Sequence, residues 1–302
     1  APPSAPPSPS PSAPPPVPGP IPTFFDMPHS NNAARVRLWL RLQGLRHAVH
    51  AVDATYAQLR SPEYAAVNPL RKVPAFIGAG GAPRLFEASV IMGYLEDELG
   101  GQGRAGLVPE GAVDRAHAAL LVRVHDLYIA SPNTSQPGFS HTQGAMYLPP
   151  EPTPEYAAAR CMDAPTRAAK LAEIWKQLAW LEATTAQYGG PYLAGRALTH
   201  ADLTWFPTAV FMEFMLPRVF KWAPVFREEE HLPALSRWYA RLEGYEAPDD
   251  GVGGDGHAVR PFAEVRETIW RHWERVEATG HFDAIRRQTQ CPEADGFKWA
   301  FP

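Results

Sequence analysis

The chain has 302 residues, of which 45% are hydrophobic and 20% charged, so it can bury a sizeable core and is not disordered as a whole. Its 28 Lys and Arg residues against 32 Asp and Glu residues leave a net charge of −4, which argues against nucleic acid as a partner. Two cysteines, and no apolar run near the roughly 20 residues of a membrane span, exclude a disulfide framework and a membrane-spanning helix.

Residues 1–22 form a Pro-rich tail. They contain 12 of the 34 prolines, mixed with Ser and Ala, and no charged or aromatic residue. This composition predicts an extended, disordered tether. We expect a protein of the cytoplasm or, after removal of a targeting peptide, of the chloroplast.

Residues 23–103 are predicted to form an α/β domain. Apolar alternation indicates strands, apolar spacing of three and four residues indicates helices, and glycines indicate turns. The predicted elements are, in chain order, a strand at 23–27, a helix at 31–45, a strand at 48–52, a short helix at 61–67, a hairpin of strands at 73–77 and 84–86, and a helix at 87–99. A β-α-β unit with a short crossover implies parallel strands, and the complete order is a thioredoxin-like layout.

Residues 108–302 show helical spacing, and we expect an all-α helical bundle. The predicted helices lie at 113–129, 164–188, 201–216, 233–242 and 262–277. A Pro-, Gly- and Ser-rich insert at 131–163 is too long for an ordinary connection between helices, and an aromatic C-terminal extension covers 245–302. In that extension Trp270 and Trp273 share one helix face, and we expect them to pack on the bundle or on another subunit.

Three separated motifs stand out in this framework. Residues 68–76 read NPLRKVPAF, residues 85–95 read LFEASVIMGYL, and residues 193–202 read LAGRALTHAD. They are similar, in this order, to N-P-x-x-x-V-P, L-x-E-S-x-x-I-x-x-Y-L and G-x-x-x-T-x-A-D segments. Together they resemble the glutathione S-transferase superfamily, whose members join a thioredoxin-like domain to an all-helical domain.

The third motif has a physical explanation of its own. Thr199 can cap a helix while Asp202, at the third helical position, reaches back to the cap N–H group, and Leu198 acts as the hydrophobic staple. This motif therefore indicates the fold and not the chemistry.

The first two motifs imply a glutathione site. By resemblance, Pro74 is cis and leaves the backbone of Val73 free to pair with the cysteinyl unit of glutathione. Glu87 begins a helix whose N–H groups suit the γ-glutamyl carboxylate. Most relatives carry Ser directly after this Glu, whereas this chain has Ala88, which predicts weaker binding unless Ser89 or backbone N–H groups substitute.

The catalytic candidate is Ser30. Residues 28–36, PHSNNAARV, resemble a plant-type P-x-S-x-x-x-x-R-V pattern in which the Ser is the catalytic hydroxyl. A hydroxyl donor at the start of a helix, reinforced by the helix dipole, stabilises a thiolate that otherwise forms only near about pH 8.5. The alternative is a plain N-cap, which Ser30, Asn31 or Asn32 could provide. The absence of Cys from residues 23–32 disfavours the thiol-transferase and dehydroascorbate-reductase branches.

Further binding residues are assigned on the same resemblance. Lys72 and Arg60 are expected to pair with the glycine-end carboxylate of glutathione, with a solvated surface position as the alternative. The second-substrate pocket would lie between the first helix of the helical domain and the insert. Tyr128, His141 and Tyr147 would line it, a set that suits a small electrophile or a partner surface.

Metal chemistry and reactive cysteines are not indicated. His125 and Asp126 adjoin on a helix with His141 nearby in sequence, but this spacing fits no familiar metal site. Cys161 and Cys291 both fall in the helical part, and we expect both thiols to be inert.

The leading function is glutathione conjugation of a small electrophile, or a related glutathione-dependent reaction, by a homodimer as the resemblance implies. The alternative is a glutathione S-transferase-like scaffold or interaction subunit of a larger complex, with weak or no catalysis; Ala88, the tail and the insert leave room for it. A third possibility is glutathione-assisted isomerisation or reductive removal of a leaving group, which the sequence does not separate from conjugation.

Overall fold

The structure, a computed structural model, describes residues 20–102, 106–130, 142–154, 161–249, 251, 258–290 and 301. Most of the predicted tail, His141 and Cys291 lie outside these ranges. The described residues form a small sheet domain, up to residue 102, and a domain of helices after it.

Four strands form a mixed sheet in the order β2-β1-β3-β4. They are β1 (Thr23–Asp26), β2 (His50–Asp53), β3 (Ala75–Ile77) and β4 (Arg84–Phe86). β1 pairs with β2 in parallel and with β3 antiparallel, and β3 and β4 form an antiparallel pair. The predicted parallel pair and the predicted hairpin are both confirmed.

Ten α-helices occur in the described part of the chain. The sheet domain contains α1 (Asn31–Gln43), α2 (Tyr56–Leu59), α3 (Pro62–Ala65) and α4 (Ala88–Leu99). The helical domain contains α5 (Ala112–Val124), which continues into a π-helical turn at His125–Ile129, and then α6 (Ala164–Tyr188), α7 (His200–Phe220), α8 (Pro233–Glu243), α9 (Pro261–Ala278) and α10 (Asp283–Gln290). None of these helices has both the length and the hydropathy required to cross a membrane.

The central strand β1 separates two hydrophobic clusters, because its side chains alternate between the faces of the sheet. Phe24 belongs to the large cluster that includes residues of α1 and α4. Phe25 faces the other side, where its ring meets Tyr64 of α3 edge-on at a centroid distance of 5.4 Å. The sheet thus lies between helices, as the thioredoxin-like layout requires.

α7 is the central helix of the bundle. Every residue of 201–216 is buried, as expected of a helix that is apolar around its circumference. Trp270 of α9 contacts Phe214 with ring centroids 5.1 Å apart, and Trp273 contacts Phe211 at 4.9 Å. The expected packing of the extension on the bundle is therefore confirmed.

The capping box of α7 is formed as predicted. Asp202 Oδ2 accepts a hydrogen bond from the backbone N–H of Thr199 at 2.8 Å, and Thr199 Oγ1 accepts from the N–H of Ala201 at 3.3 Å. Asp202 Oδ1 also accepts from the Leu193 N–H and from Trp238 Nε1 at 3.0 and 2.9 Å. Burial raises the pKa of Asp202, and the hydrogen bonds to its carboxylate oppose that rise.

Arg167 of α6 fixes the described parts of the insert and of the extension to the bundle. Its guanidinium is fully buried and donates to the carbonyls of Ala145, Leu148 (2.7 Å) and Met162 (3.3 Å), and to Gln288 Oε1 of α10 at 2.6 Å. Because these acceptors are neutral, burial dominates and lowers the pKa of Arg167 to about 9.

Candidate functional site

Ser30 caps the first turn of α1. Its backbone is extended, with φ −74° and ψ 118°, and its Oγ accepts a hydrogen bond from the Ala33 N–H at 3.2 Å. A Ser hydroxyl carries one hydrogen to donate and two lone pairs to accept. The cap uses one lone pair, so the hydroxyl hydrogen can still be donated to an acceptor beyond the helix. The N-cap role and the thiolate role are therefore compatible.

The loop that carries Ser30 is braced by Arg37 of α1. The Arg37 guanidinium donates to Asp26 Oδ1 at 2.5 Å, to the Met27 carbonyl at 3.2 Å and to the Pro28 carbonyl at 2.7 Å. The Met27 carbonyl also accepts the backbone N–H of Ser30 at 2.8 Å. One side chain thus fixes the β1–α1 loop, residues 27–30, directly before the candidate hydroxyl.

The N-terminus of α4 has the geometry of an anion site. Glu87 precedes the helix with φ 70° and ψ 118°, and its side chain makes no capping hydrogen bond. A positive φ is uncommon for a residue other than Gly and is often associated with functional sites. The first intrahelical bond runs from the Ile91 N–H to the Glu87 carbonyl at 3.0 Å. The N–H groups of Ala88 and Ser89 therefore lie in the turn whose donors have no acceptor within the helix.

The peptide bond between Val73 and Pro74 is cis, as predicted, and it lies directly before β3. Two hydrogen bonds to the Lys72 carbonyl fix the segment before this bond. Tyr64 Oη and Asn68 Nδ2 are the donors, both at 2.7 Å. The first residue of the NPLRKVPAF motif is therefore a structural residue of the loop.

The two basic residues predicted for the glycine-end carboxylate both have exposed side chains. Arg60 is the C-cap of α2, and Lys72 precedes the cis peptide bond. Their assignment to a ligand carboxylate stays a prediction.

A cavity of about 700 Å³ lies between the β1–α1 loop and α9. The loop contributes the two residues before Ser30, and α9 contributes one face of its C-terminal half. The lining residues are Pro28, His29, Thr268, Arg271, His272, Glu274, Arg275 and Ala278. The extension therefore reaches the residues that adjoin the catalytic candidate.

Two stacked imidazoles join the loop to α9 at this cavity. His29 and His272 lie with ring centroids 3.7 Å apart and planes within 7°, and His29 Nε2 is 3.2 Å from Tyr56 Oη. Burial, with the positive charges of Arg37 and Arg275, lowers the pKa of His29 to about 4. Burial, together with electrostatic repulsion from His29 and Arg275, lowers the pKa of His272 to about 3. Both rings are therefore neutral at pH 7.

Of the three residues predicted for the second-substrate pocket, the two that the structure describes, Tyr128 and Tyr147, do not line this cavity. Tyr128 is half exposed in the π-helical turn. The ring of Tyr147 packs on Phe211 and Trp273, with centroids 6.1 and 5.7 Å away, and His141 lies outside the described residues. Their roles stay predictions.

His125 and Asp126 belong to a buried network. His125 Nε2 is 2.8 Å from Thr208 Oγ1, and its Nδ1 is 2.9 Å from Asp126 Oδ1, which also accepts from Arg35 at 2.7 Å. The order Thr-His-Asp resembles a hydrolase relay, but Thr208 is fully buried, so no substrate reaches it. Within the described ranges, His, Cys, Asp and Glu residues do not group as three or more metal ligands.

Cys161 lies in the described part of the chain and is not in a disulfide. Burial and the charge of Glu151 raise the pKa of its thiol, which disfavours a reactive thiolate.

Two sequence models of protein families match this chain. "Glutathione S-transferase, N-terminal domain" matches residues 29–98, and "Glutathione S-transferase, C-terminal domain" matches residues 164–241. The first range contains Ser30, the cis proline and the start of α4, and the second contains the capping box of α7. Residues 29–98 and 164–241 are thus the N-terminal and C-terminal domains of the glutathione S-transferase family. The predicted fold class, a thioredoxin-like α/β domain followed by an all-α helical bundle, is confirmed.

Individual proteins that are similar to this chain carry glutathione-related names as well. Glutathione S-transferase 3 of Zea mays is 29% identical over 111 residues, which are 37% of this chain and 48% of the maize protein. The chain thus matches about half the length of that relative. The solved structure of maleylacetoacetate isomerase from Methylobacterium extorquens AM1, with bound malonate and GSH, is 20% identical with a TM-score of 0.56 and covers 82% of this chain and 97% of that one. The solved structure of glutathione transferase F7 from Populus trichocarpa is 17% identical with a TM-score of 0.58, and the match covers 82% of this chain and 99% of the poplar chain.

The parts of the candidate site that lie on local motifs were predicted from the sequence, and the contribution of α9 was missed. Thr268, Arg271, His272 and Arg275 follow a three- and four-residue spacing that was readable as one helix face. The sequence offered no signal that this face would meet His29.

Proposed function

We propose that the chain binds glutathione on its sheet domain and activates the glutathione thiol for attack on a small electrophile. The observation that carries this proposal is the position of Ser30, whose hydroxyl caps α1 and keeps a hydrogen to donate. The membership of residues 29–98 in the glutathione S-transferase N-terminal family supports the same assignment.

The chemistry that Ser30 would perform is stabilisation of an anion. A free cysteine-type thiol has a pKa of about 8.5, so little of it is ionised at pH 7. A hydrogen bond from the Ser30 hydroxyl and the positive end of α1 both favour the thiolate and lower its pKa. The sulfur then forms a bond to the electrophilic carbon, the leaving group departs with its electron pair, and the thiol proton passes to solvent.

The rest of glutathione is assigned to accessible groups of the sheet domain. The γ-glutamyl carboxylate would bind at the start of α4, next to Glu87 and Ser89, and the cysteinyl unit would pair with the backbone of Val73. Lys72 and Arg60 would bind the glycine-end carboxylate. All five residues are exposed or half-buried, which supports contact with a tripeptide from solvent.

Apolar side chains on α4 and α5 support the proposed homodimer. Val90, Val113 and Leu120 are 50%, 65% and 47% exposed, so their apolar surface is available for burial against a second copy. Light scattering on the full chain is expected to give twice the monomer mass of 33.2 kDa. A monomer at all concentrations would contradict it.

Three substitutions at Ser30 separate its two roles. Ser30→Thr keeps both the cap and a hydroxyl, Ser30→Asp keeps the cap without a hydroxyl donor, and Ser30→Ala removes both. We expect Thr to retain activity, while Asp and Ala each lower kcat/KM by about 100-fold, the usual effect of removing one donor to a developing anion. The measurement is the conjugation rate of 1-chloro-2,4-dinitrobenzene, after calorimetry has established that each variant binds glutathione.

The result that would overturn the role of Ser30 is full activity in Ser30→Asp, because the cap alone would then be sufficient. If calorimetry detects no heat when glutathione is added to the wild-type chain, the non-catalytic scaffold replaces the transferase as the leading function.

A further inference from the structure

The α9 side of the cavity is a continuous stripe of side chains. Thr268, Arg271, His272 and Arg275 recur at the spacing that brings side chains onto one helix face. This stripe faces Pro28 and His29 on the β1–α1 loop, directly before Ser30. A molecule in the cavity would therefore contact the two loop residues that precede Ser30.

Among the described residues that line the cavity, Arg275 is the cation without a carboxylate partner. Arg271 is ion-paired with Glu267, and Glu274 accepts a hydrogen bond from Trp270 Nε1 at 2.9 Å. Arg275 donates through Nε to the Arg271 carbonyl at 3.2 Å, and within the described residues it forms no ion pair with a carboxylate. Its two terminal nitrogens can therefore donate to a ligand.

The electrostatic potential in the cavity is consistent with an anionic ligand. Burial is the largest cause of the lowered pKa of both stacked imidazoles, His29 and His272, and the positive charge of Arg275 lowers both further. A positive potential that disfavours a proton favours a negative group at the same place. The two rings stay neutral at pH 7, so they offer a planar wall and do not compete as cations.

We propose that this cavity receives the electrophilic co-substrate and that Arg275 selects electrophiles that carry a carboxylate. This inference rests on the proposed function, because that function supplies the reaction of the electrophile with glutathione. The preference for an anion is derived separately, from the side chains of α9. An uncharged electrophile would fill the same space without the Arg275 contact.

Direct binding tests the preference without any catalysis. The probes are 3,5-dinitrobenzoate, which has a carboxylate but no leaving group, and its methyl ester, which has the same ring without the charge. Calorimetry on the wild-type chain is expected to give about 2- to 5-fold tighter binding of the benzoate, the range for an exposed ion pair. Arg275→Gln should remove the difference, and Arg275→Lys should keep most of it.

Arg287→Gln is the matched control, because Arg287 is exposed on α10 and does not line the cavity. The inference is overturned if the wild type binds the two probes equally. It is also overturned if Arg287→Gln weakens benzoate binding as much as Arg275→Gln does.

A kinetic comparison separates this inference from the proposed function. The substrates are 4-chloro-3,5-dinitrobenzoate and its methyl ester, each rate being divided by the uncatalysed rate with glutathione. If the wild type accelerates the reaction of the benzoate more than that of the ester, and Arg275→Gln removes this difference, the inference is supported. If both substrates react and Arg275→Gln does not change their ratio of rates, the inference is overturned and the proposed function stands. Failure of both to react, with no heat from glutathione, overturns the proposed function and with it the place of an electrophile in the cavity.

Discussion

The sheet domain and α9 contribute to the candidate site in different ways. The sheet domain offers mainly backbone groups: the N–H donors at the start of α4 and the chain at Val73, next to a loop braced by Arg37. α9 offers side chains, the His272 ring and the Arg275 guanidinium. Backbone groups suit a co-substrate that is always the same tripeptide, whereas side chains can be exchanged to suit another electrophile. The difference predicts that substitutions on the sheet domain change glutathione affinity and that substitutions on α9 change the preference for an electrophile.

The largest effect is expected where a buried side chain holds the extension in place. Arg167→Met leaves buried carbonyls and Gln288 without their donor, and we expect the free energy of unfolding to fall by about 3 kcal/mol. Lys176→Met, on an exposed position of the same helix, is the control. Urea denaturation measures both. Under conditions in which Arg167→Met is folded, we expect it to bind glutathione as tightly as the wild type does. A loss of glutathione affinity that parallels the loss of stability would show that the sheet domain depends on the packing of the extension.

A smaller effect is expected at the brace of the β1–α1 loop. Arg37→Met leaves the Asp26 carboxylate unpaired and releases two carbonyls, so we expect a loss of about 2 kcal/mol in stability. Because the loop positions Ser30, kcat/KM should also fall by about tenfold for a displacement of the catalytic group. Arg123→Met, exposed on α5, should change neither. A destabilised variant with unchanged kcat/KM would show that the loop does not position the hydroxyl.

Restoring the hydroxyl that relatives carry after Glu87 tests the backbone side directly. Ala88→Ser adds a donor at the start of α4, and glutathione should bind about fivefold more tightly, as one hydrogen bond of about 1 kcal/mol implies. Calorimetry measures the change. If Ser89 now substitutes for the missing group, Ser89→Ala should weaken binding in the wild type and have less effect beside Ala88→Ser. Unchanged affinity in Ala88→Ser would mean that the backbone donors are sufficient.

The smallest effect is a pH dependence from the stacked imidazoles. The pKa values of His29 and His272 are lowered to about 4 and about 3 in the folded chain, below the ordinary value of about 6.5. As the pH falls below about 6.5, the unfolded chain therefore takes up protons that the folded chain does not, and stability decreases. His272→Phe should make the fall in Tm between about pH 6.5 and pH 4 shallower, as measured by thermal denaturation. An identical slope in the variant would contradict the assignment.

The sequence predicts the fold well because its signals are local. Helix periods and the Thr199–Asp202 box each depend on a few neighbouring residues, and both are found in the structure. α2 is missed although Thr55 and Gln58 form a capping box at its start, and α10 is missed because only Ile285 and Gln288 of its eight residues are buried.

The site is predicted only in part, for the same physical reason. Ser30 and Pro74 lie in motifs, so their local geometry follows from the sequence around them. The cavity depends on α9 meeting the β1–α1 loop from the far end of the chain, and His29 and His272 become neighbours only after the bundle has packed. Arg275 has no local signal that separates it from a solvated surface residue.

The central claim is that a hydrogen bond from Ser30 stabilises the glutathione thiolate. Ultraviolet thiolate absorbance of bound glutathione, titrated against pH in the wild type, Ser30→Thr and Ser30→Ala, tests it most directly. The account predicts a bound-thiol pKa below the ordinary value in the wild type and in Ser30→Thr, and a rise of about 1 in Ser30→Ala. An unchanged pKa in Ser30→Ala, with glutathione still bound, would contradict it.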